Sequence, residues 1–292
     1  FEGEYLNGER NGKGKEYYDN GKLKFEGEYL NGKRVGNGKE YYDNGKLKFE
    51  GEYLNGIKHG KGKEYDINER IVYDGEYLNG GKNGKAKLYY SDYPKYAGNI
   101  GNKSYLKYEG EYFNGQMNGK GKEYYDNGNL EYEGGYLNGI WNGIGKEYFY
   151  NGNLRYEGKY VNGKKNGKGK EYNILGKLIY EGEYLYGERN GKGKEFYNDI
   201  LIFEGEFVYG KRLSGKGKEY YDDQLEYEGE YLNGERNGKG KLYSRGELYY
   251  EGQLLKGIEH GKGKEYYNGK LMYEGDYLNG EKNGYGKEYY YN

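Results

Sequence analysis

A three-residue marker, an aromatic residue followed by an acid and then glycine, returns twelve times along this chain and dictates what it can fold into. It begins at Phe1, Phe25, Phe49, Tyr73, Tyr108, Tyr132, Tyr156, Tyr180, Phe203, Tyr227, Tyr250 and Tyr273. The spacing is 24 residues seven times, 23 three times and 35 once. A unit this short cannot bury a core alone, so it must be stabilised by its neighbours, as in other one-dimensional arrays. Residues 1–292 therefore read as one elongated array, broken by an insertion at residues 91–107 that holds the only proline, Pro94. The chain begins inside a marker, at Phe1, which reads as a trimmed piece of a longer protein.

Within a unit the pattern has period two. In "LKFEGEYL", starting at Leu23, the residues Leu23, Phe25, Gly27 and Tyr29 share one parity and Lys24, Glu26, Glu28 and Leu30 the other. Alternation with aromatic enrichment predicts a strand, and "GKEYY" from Gly38 predicts a second. No stretch carries a helical period. Asn20-Gly21 between units predicts a type I′ hairpin turn, and Gly8–Asn11 predicts the turn inside the unit. Charge pairing then suggests a register with Tyr5 opposite Gly14, Glu4 opposite Lys15 and Phe1 opposite Tyr18, continuing with Gly14 opposite Gly27. The expected fold is all-β: an elongated single-layer antiparallel ribbon of twelve consecutive hairpins, about 110 Å long at ~4.8 Å per strand. One face carries aromatic residues and glycine, and the other is mostly a Glu/Lys lattice. Glycine inside a strand weakens it unless something packs close, so the neighbouring rings are expected to lie across these glycines.

Composition narrows the function. Lys plus Arg (47) match Asp plus Glu (48), so nothing calls for nucleic acid. There is no apolar run long enough for a membrane helix. The 46 tyrosines and 8 phenylalanines argue against a disordered chain despite a charged fraction of 33%. The absence of cysteine excludes a disulfide scaffold and fits a reducing, intracellular compartment.

The unit, "YEGEYLNG" followed by Asn-Gly-Lys-Gly-Lys-Glu-Tyr-Tyr, resembles the MORN repeat. The histidine usual in that family stands only at His59 and His260. Asn replaces it at Asn11, Asn83, Asn118, Asn142, Asn166, Asn190, Asn237 and Asn283, and Val35 and Leu213 take the remaining two places. The extra residue and the "GKLKFEG" linker look like the MORN variant. The resemblance implies a scaffold that binds a partner polypeptide, in some relatives a helical segment, or phosphoinositides. It also implies dimerisation through terminal repeats. The kinase and methyltransferase domains found beside some MORN arrays have no counterpart in this sequence.

Hidden chemistry has little to stand on. The Gly-Lys-Gly-Lys motif lacks the spacing, the Ser/Thr and the helix of a phosphate loop. Glu2 and Glu4 share a face, but equivalents recur in most units with Lys opposite, which reads as structural ion pairing. The only hydroxyl nucleophiles outside tyrosine are Ser91, Ser104, Ser214 and Ser244, and the two histidines are far apart. No catalytic, cofactor or metal residue is expected. A single-layer sheet has no second layer, so the aromatic face is expected to dock a partner through Tyr29, Tyr53, Tyr77, Tyr112, Tyr136, Tyr160, Tyr184, Phe207 and Tyr231, with Trp141 as a local hot spot. An alternative uses a basic rim, Lys33–Arg34, Lys164–Lys165 and Lys211–Arg212, to meet an anionic membrane surface. A third is a glycan-binding surface module. The terminal tyrosines Tyr289, Tyr290 and Tyr291 form a strand expected to pair with a second copy, giving a homo-oligomer.

Overall fold

A computed structural model describes residues 1–91 and 105–291. Most of the predicted insertion, including Tyr93 and Tyr96, lies outside the described residues. Twenty-four strands, β1 to β24, form an antiparallel sheet of β-hairpins, and no helix occurs among the described residues. The chain divides into two compact units, Phe1–Leu154 with Tyr160–Gly163, and Arg155–Lys159 with Lys164–Asn292. The same hairpin design recurs in each.

The first hairpin joins β1 (Glu2–Leu6) to β2 (Glu9–Tyr17). Its turn is not at Gly8–Asn11 but at Asn7–Gly8, both left-handed with φ of 48° and 83°. Leu6 pairs directly with Glu9 across this two-residue turn. That is the type I′ geometry, whose twist matches the flanking strands and which Asn-Gly adopts most readily. Moving the turn moves the register: Gly3 pairs with Gly14 and Tyr5 with Arg10, where Tyr5 was expected opposite Gly14. Between those pairs the single residue Glu4 stands against Asn11, Gly12 and Lys13, a bulge with Gly12 at φ 70°. The Glu4 carboxylate fills the bulge and accepts the Lys13 amide at 3.3 Å, as Glu52 does from Lys61 at 3.2 Å and Glu230 from Lys239 at 3.0 Å. These glutamates therefore bind backbone amides, where ion pairs with the facing lysines were expected.

The connection from one repeat to the next is longer than expected. The Tyr18 amide donates to the Lys22 carbonyl (2.8 Å) and the Gly21 amide to the Tyr18 carbonyl (2.9 Å), and in this turn only Gly21 has positive φ. That is a three-residue loop with a glycine bulge rather than a type I′ turn. Late in the chain the connection shortens to Asn268–Gly269, both left-handed at φ 48° and 72°, which accounts for the 23-residue spacing from Tyr250 to Tyr273.

Between β2 and β3 (Leu23–Leu30) the register is the expected one, Gly14 opposite Gly27 and Glu16 opposite Phe25. Because the slip within the hairpin is an even number of residues, the two faces keep the composition expected from the sequence. Successive repeats also join at the turn: the Gly32 amide donates to the Arg10 carbonyl and the Gly56 amide to the Arg34 carbonyl, each at 2.9 Å.

The core is a layer of rings on the sheet itself. Gly27 faces Gly38 of β4 (Lys33–Tyr41), and the Phe25 ring lies across both. A Cβ on Gly38 would come within 2.5 Å of the Phe25 ring and 3.2 Å of Tyr53. Phe25, Phe49, Tyr73, Tyr108 and Tyr132 are fully buried in the first unit, as are Tyr180 and Tyr227 in the second. Phe25 meets Tyr29 and Tyr53 edge-on, with centroids 5.7 and 5.3 Å apart, the arrangement that ring quadrupoles favour.

Candidate functional site

The aromatic face is closed. Tyr29, Tyr53, Tyr77, Tyr112, Tyr136, Tyr160, Tyr184, Phe207 and Tyr231 are all 1–7% exposed. The cover comes from the residue two places after each turn. The Arg34 guanidinium sits 3.9 Å above the Phe25 centroid and bonds Glu16 and Glu40, both at 2.9 Å. Tyr29 donates its hydroxyl to the same Glu16 at 2.7 Å. Glycine backbone, ring and cation thus form three layers, and the second layer that a single sheet lacks is built from side chains of the same face. Lys58 caps Phe49 at 4.0 Å and Lys82 caps Tyr73 at 4.1 Å. In the second unit Arg189 caps Tyr180 at 4.5 Å and bonds Glu171 (2.9 Å) and Glu195 (2.7 Å).

These pairings set the titration behaviour. Burial works to raise the Glu16 carboxyl, but Tyr29 and Arg34 outweigh it, so it titrates below the usual carboxylate value. Glu64 is lowered in the same way, with burial opposed by Lys82 and Lys58. Burial pushes the phenols upward, Tyr132, Tyr180, Tyr227 and Tyr250 each to about 12.

The same geometry relocates other expected residues. Trp141 stands in the cation's place: it stacks on Tyr132 at 4.2 Å with planes 5° apart and donates to Glu123 at 3.2 Å. It is a cap of the ring layer. Of the basic rim, Arg34, Lys165 and Arg212 also cap rings, over Phe25, Tyr156 and Phe203, while Lys33, Lys164 and Lys211 are exposed. The rim is thus half as basic at the surface as its sequence suggests, because adjacent strand residues point to opposite faces. Tyr289 to Tyr291 follow β24 (Glu281–Glu288) and lie outside any strand. The Tyr289 amide donates to the Met272 carbonyl at 2.9 Å, Tyr290 donates to Glu288 at 2.7 Å, and the Lys270 ammonium lies 5.0 Å from the Tyr291 centroid. Among the described residues no group of three or more His, Cys, Asp or Glu is placed to hold a metal ion.

The opposite face is open and ordered in rows. One row alternates acid and base: Glu2, Lys15, Glu26, Lys39 and Glu50 face one another in succession. Tyr41 donates to Glu26, and Tyr65 to Glu50, both at 2.6 Å. The glycine pairs leave backbone as the floor of a groove, with Lys13, Lys15, Glu26, Lys39 and Lys61 on its walls. In the outermost row apolar residues alternate with mostly polar partners, Leu6 with Glu9 and Leu30 with Lys33. Each repeat places one aliphatic or aromatic residue immediately before its Asn-Gly-type turn, with parity toward this open face. In the first unit these residues run from 37% exposed at Val161 to 59% at Phe113, with Leu30, Leu54, Leu78 and Leu137 between. In the second unit Leu185, Val208, Leu232, Leu255 and Leu278 are exposed likewise. Sequence reasoning assigned Leu30 to the charged face without noticing its recurrence. The signal was available as an apolar residue at the sixth place of all twelve repeats.

Fold and surface together define a tandem β-hairpin array with a sealed aromatic face and an open, charged, leucine-edged one. The MORN repeat model matches residues 49–68, 73–94, 108–130, 156–173, 180–199, 203–225, 227–246, 250–270 and 273–292, and the MORN repeat variant matches 10–31, 34–55 and 141–162. The chain belongs to the MORN-repeat family. That family is non-enzymatic, and its repeats are scaffold modules that bind proteins or membrane lipids. No curated protein matches the chain. Among solved structures it is similar to the TcdB2-TccC3-Cdc42 and TcdB2-TccC3-TEV crystal structures, at 11% identity with TM-scores of 0.24 and 0.23. The matches cover 94% of this chain and 18% of those chains.

Proposed function

We propose that this chain is a non-catalytic scaffold that binds a partner polypeptide, and that docking takes place on the open charged face along its apolar edge. The observation that carries this is the row of half-exposed Leu30, Leu54, Leu78, Phe113 and Leu137, repeated at every hairpin. Isolated exposed apolar residues are ordinary, but a regular row of them is a surface with something to cover. The aromatic face makes a poorer surface because its rings are already packed. The near balance of charge on the open face supplies polar contacts of both signs, which suits a protein partner better than an anionic membrane.

The test is a triple variant, Leu30→Ser, Leu54→Ser and Leu78→Ser, checked by circular dichroism for an intact sheet. Polypeptides retained by the parent chain are identified by mass spectrometry, purified and bound again to both proteins. At least tenfold weaker rebinding by the variant is expected. Equal binding by the variant, or binding of phosphatidylserine vesicles that disappears at high salt with no polypeptide retained, refutes the reading.

A further inference from the structure

Twelve similar repeats present a partner with twelve similar places to bind, and a repetitive surface by itself cannot fix a register. One repeat departs from the rest on the open face. It pairs β11 (Leu130–Leu137) with β12 (Ile140–Tyr148). Its fourth residue is Gly135, where nine repeats have Glu or Asp. Its bulge position holds Ile144, 73% exposed, where Lys13, Lys61, Lys85 and Lys120 stand in other repeats of the same unit. The edge row of the same repeat carries the cross-strand pair Leu137 and Ile140, 46% and 49% exposed. Other repeats share one of these departures, but none combines Gly and an apolar residue at the two positions.

The missing carboxylate is built into the backbone. In this bulge the Asn142 carbonyl oxygen turns into the space a Gly135 Cβ would need, so no longer side chain fits without a shift of the strand. Two consequences follow. Gly135 contributes no side chain to the groove wall, which Lys120, Glu133 and Ile144 line beside it. The charge alternation also fails here: Lys120 of β10 (Gln116–Tyr124) stands opposite Gly135, whereas Lys13, Lys61 and Lys168 stand opposite Glu28, Glu76 and Glu183. An exposed isoleucine, a wall position without a side chain and a lysine without its facing carboxylate thus fall on the neighbouring strands β10 to β12.

We propose that this place is the anchor that sets a partner's position on the array, and that it takes an extended segment in which a bulky apolar side chain is flanked by carboxylates. The apolar side chain covers Ile144 beside Gly135, and a carboxylate supplies the charge that Gly135 withholds from Lys120. This rests on the reading of the open face as the docking face, and adds its location and the chemistry of what binds there.

The experiment uses the full chain and a synthetic acidic peptide, Glu-Leu-Glu-Phe-Glu-Leu-Glu, with benzoylphenylalanine at its centre for photo-crosslinking and a fluorophore for anisotropy. The expected result is saturable binding with crosslinks concentrated between residues 113 and 144. Ile144→Asn, which installs the residue that Asn37 supplies in another repeat, should weaken binding about tenfold, as loss of an apolar anchor does. Lys120→Gln should weaken it about threefold at low salt and hardly at all at high salt, and Lys192→Gln, at the same place in a later repeat and opposite Glu206, should leave it unchanged. Crosslinks spread evenly over the repeats, or an equal effect of Lys192→Gln, would overturn the anchor while leaving the docking face standing. Absence of saturable binding, or tighter binding of the same peptide with Lys for Glu, would overturn the proposed chemistry.

Discussion

Substituting Gly62 by alanine should destabilise the sheet by about 1–2 kcal/mol. Gly62 has ordinary strand φ, so its glycine is required by space rather than by backbone conformation. A Cβ there would lie 2.5 and 2.6 Å from two Phe49 ring carbons, about 1 Å inside normal contact, and 3.2 Å from Tyr77. Phe49 cannot simply lift away. Tyr53 and Tyr77 hold its edges at 5.6 and 5.5 Å, and Lys58 sits 4.0 Å above it. Overpacking of this kind costs about 1–3 kcal/mol, and the entropy that alanine removes from the unfolded chain offsets about 0.4–1 of it. The chain already contains one such case. Ala86 occupies the corresponding place opposite Gly75, and there the Tyr73–Tyr77 ring planes close to 71°, against 85° and 87° in the two preceding repeats. Tilting is therefore the accommodation expected of Phe49. The assay is hydrogen exchange of β5 (Leu47–Leu54) to β7 (Ile71–Leu78), since unfolding of a repeat array need not be two-state. Gly62→Ala should speed exchange there about 5- to 30-fold, and Gly62→Ala with Phe49→Leu should be less damaging than the sum of the two, by more than about 0.5 kcal/mol. Unchanged or slower exchange in Gly62→Ala, or strict additivity with Phe49→Leu, would refute the picture of a ring seated on a glycine floor.

Two further outcomes test the ring covers. Arg189→Ala removes bonds to two half-buried carboxylates and a cation over Tyr180, and should cost about 2–3 kcal/mol, whereas Arg10→Ala, whose side chain is 39% exposed and holds one carboxylate, should cost about 1. Guanidinium unfolding followed by local exchange gives the comparison, and equal effects would mean that the caps do not act through burial. Stability should also fall at both ends of the pH scale. The lowered carboxyls of Glu16, Glu64, Glu171 and Glu219 contribute stability that is present above the unfolded value, about 4.3, and is lost as pH falls through their folded values. The raised phenols of Tyr132, Tyr180, Tyr227 and Tyr250 contribute stability that is full below the unfolded value, about 10, and is lost as pH rises toward their folded value of about 12. Phenolate absorbance should therefore rise together with loss of the sheet signal, and titration of these phenols near 10 with the sheet intact would contradict the burial.

Most of the architecture was legible because its causes are local. Phe25, Gly27 and Tyr29 announce a strand by parity, and the glycines announced rings lying across them. The turn within each hairpin was misplaced because Asn7-Gly8 and Gly8–Asn11 overlap, and both look like turns until the bulge at Gly12 is known. The cover of the aromatic face was not legible. Its position is occupied in turn by Arg10, Arg34, Lys58, Lys82, Met117 and Trp141, and a varied set of side chains beside a turn reads as solvent-facing charge. Only the register, which sets Arg34 opposite Tyr29 and within reach of Glu16 and Glu40, reveals it. The open face was misjudged for the complementary reason: Leu30 is apolar, and apolarity alone does not say that a side chain stays in water.

The Glu16 carboxylate is held from two sides, by Arg10 of its own hairpin and by Arg34 of the following one. A gene that loses half a repeat strands such a carboxylate and shifts every glycine off its ring. A gene that gains or loses a whole repeat by unequal recombination rejoins a Glu to an Arg or Lys in the same relation as before. Length is thus the property this lineage can change in a single step without inventing any contact. A repeat that departs from its neighbours, such as the one carrying Gly135 and Ile144, then serves as a fixed address from which the others are counted.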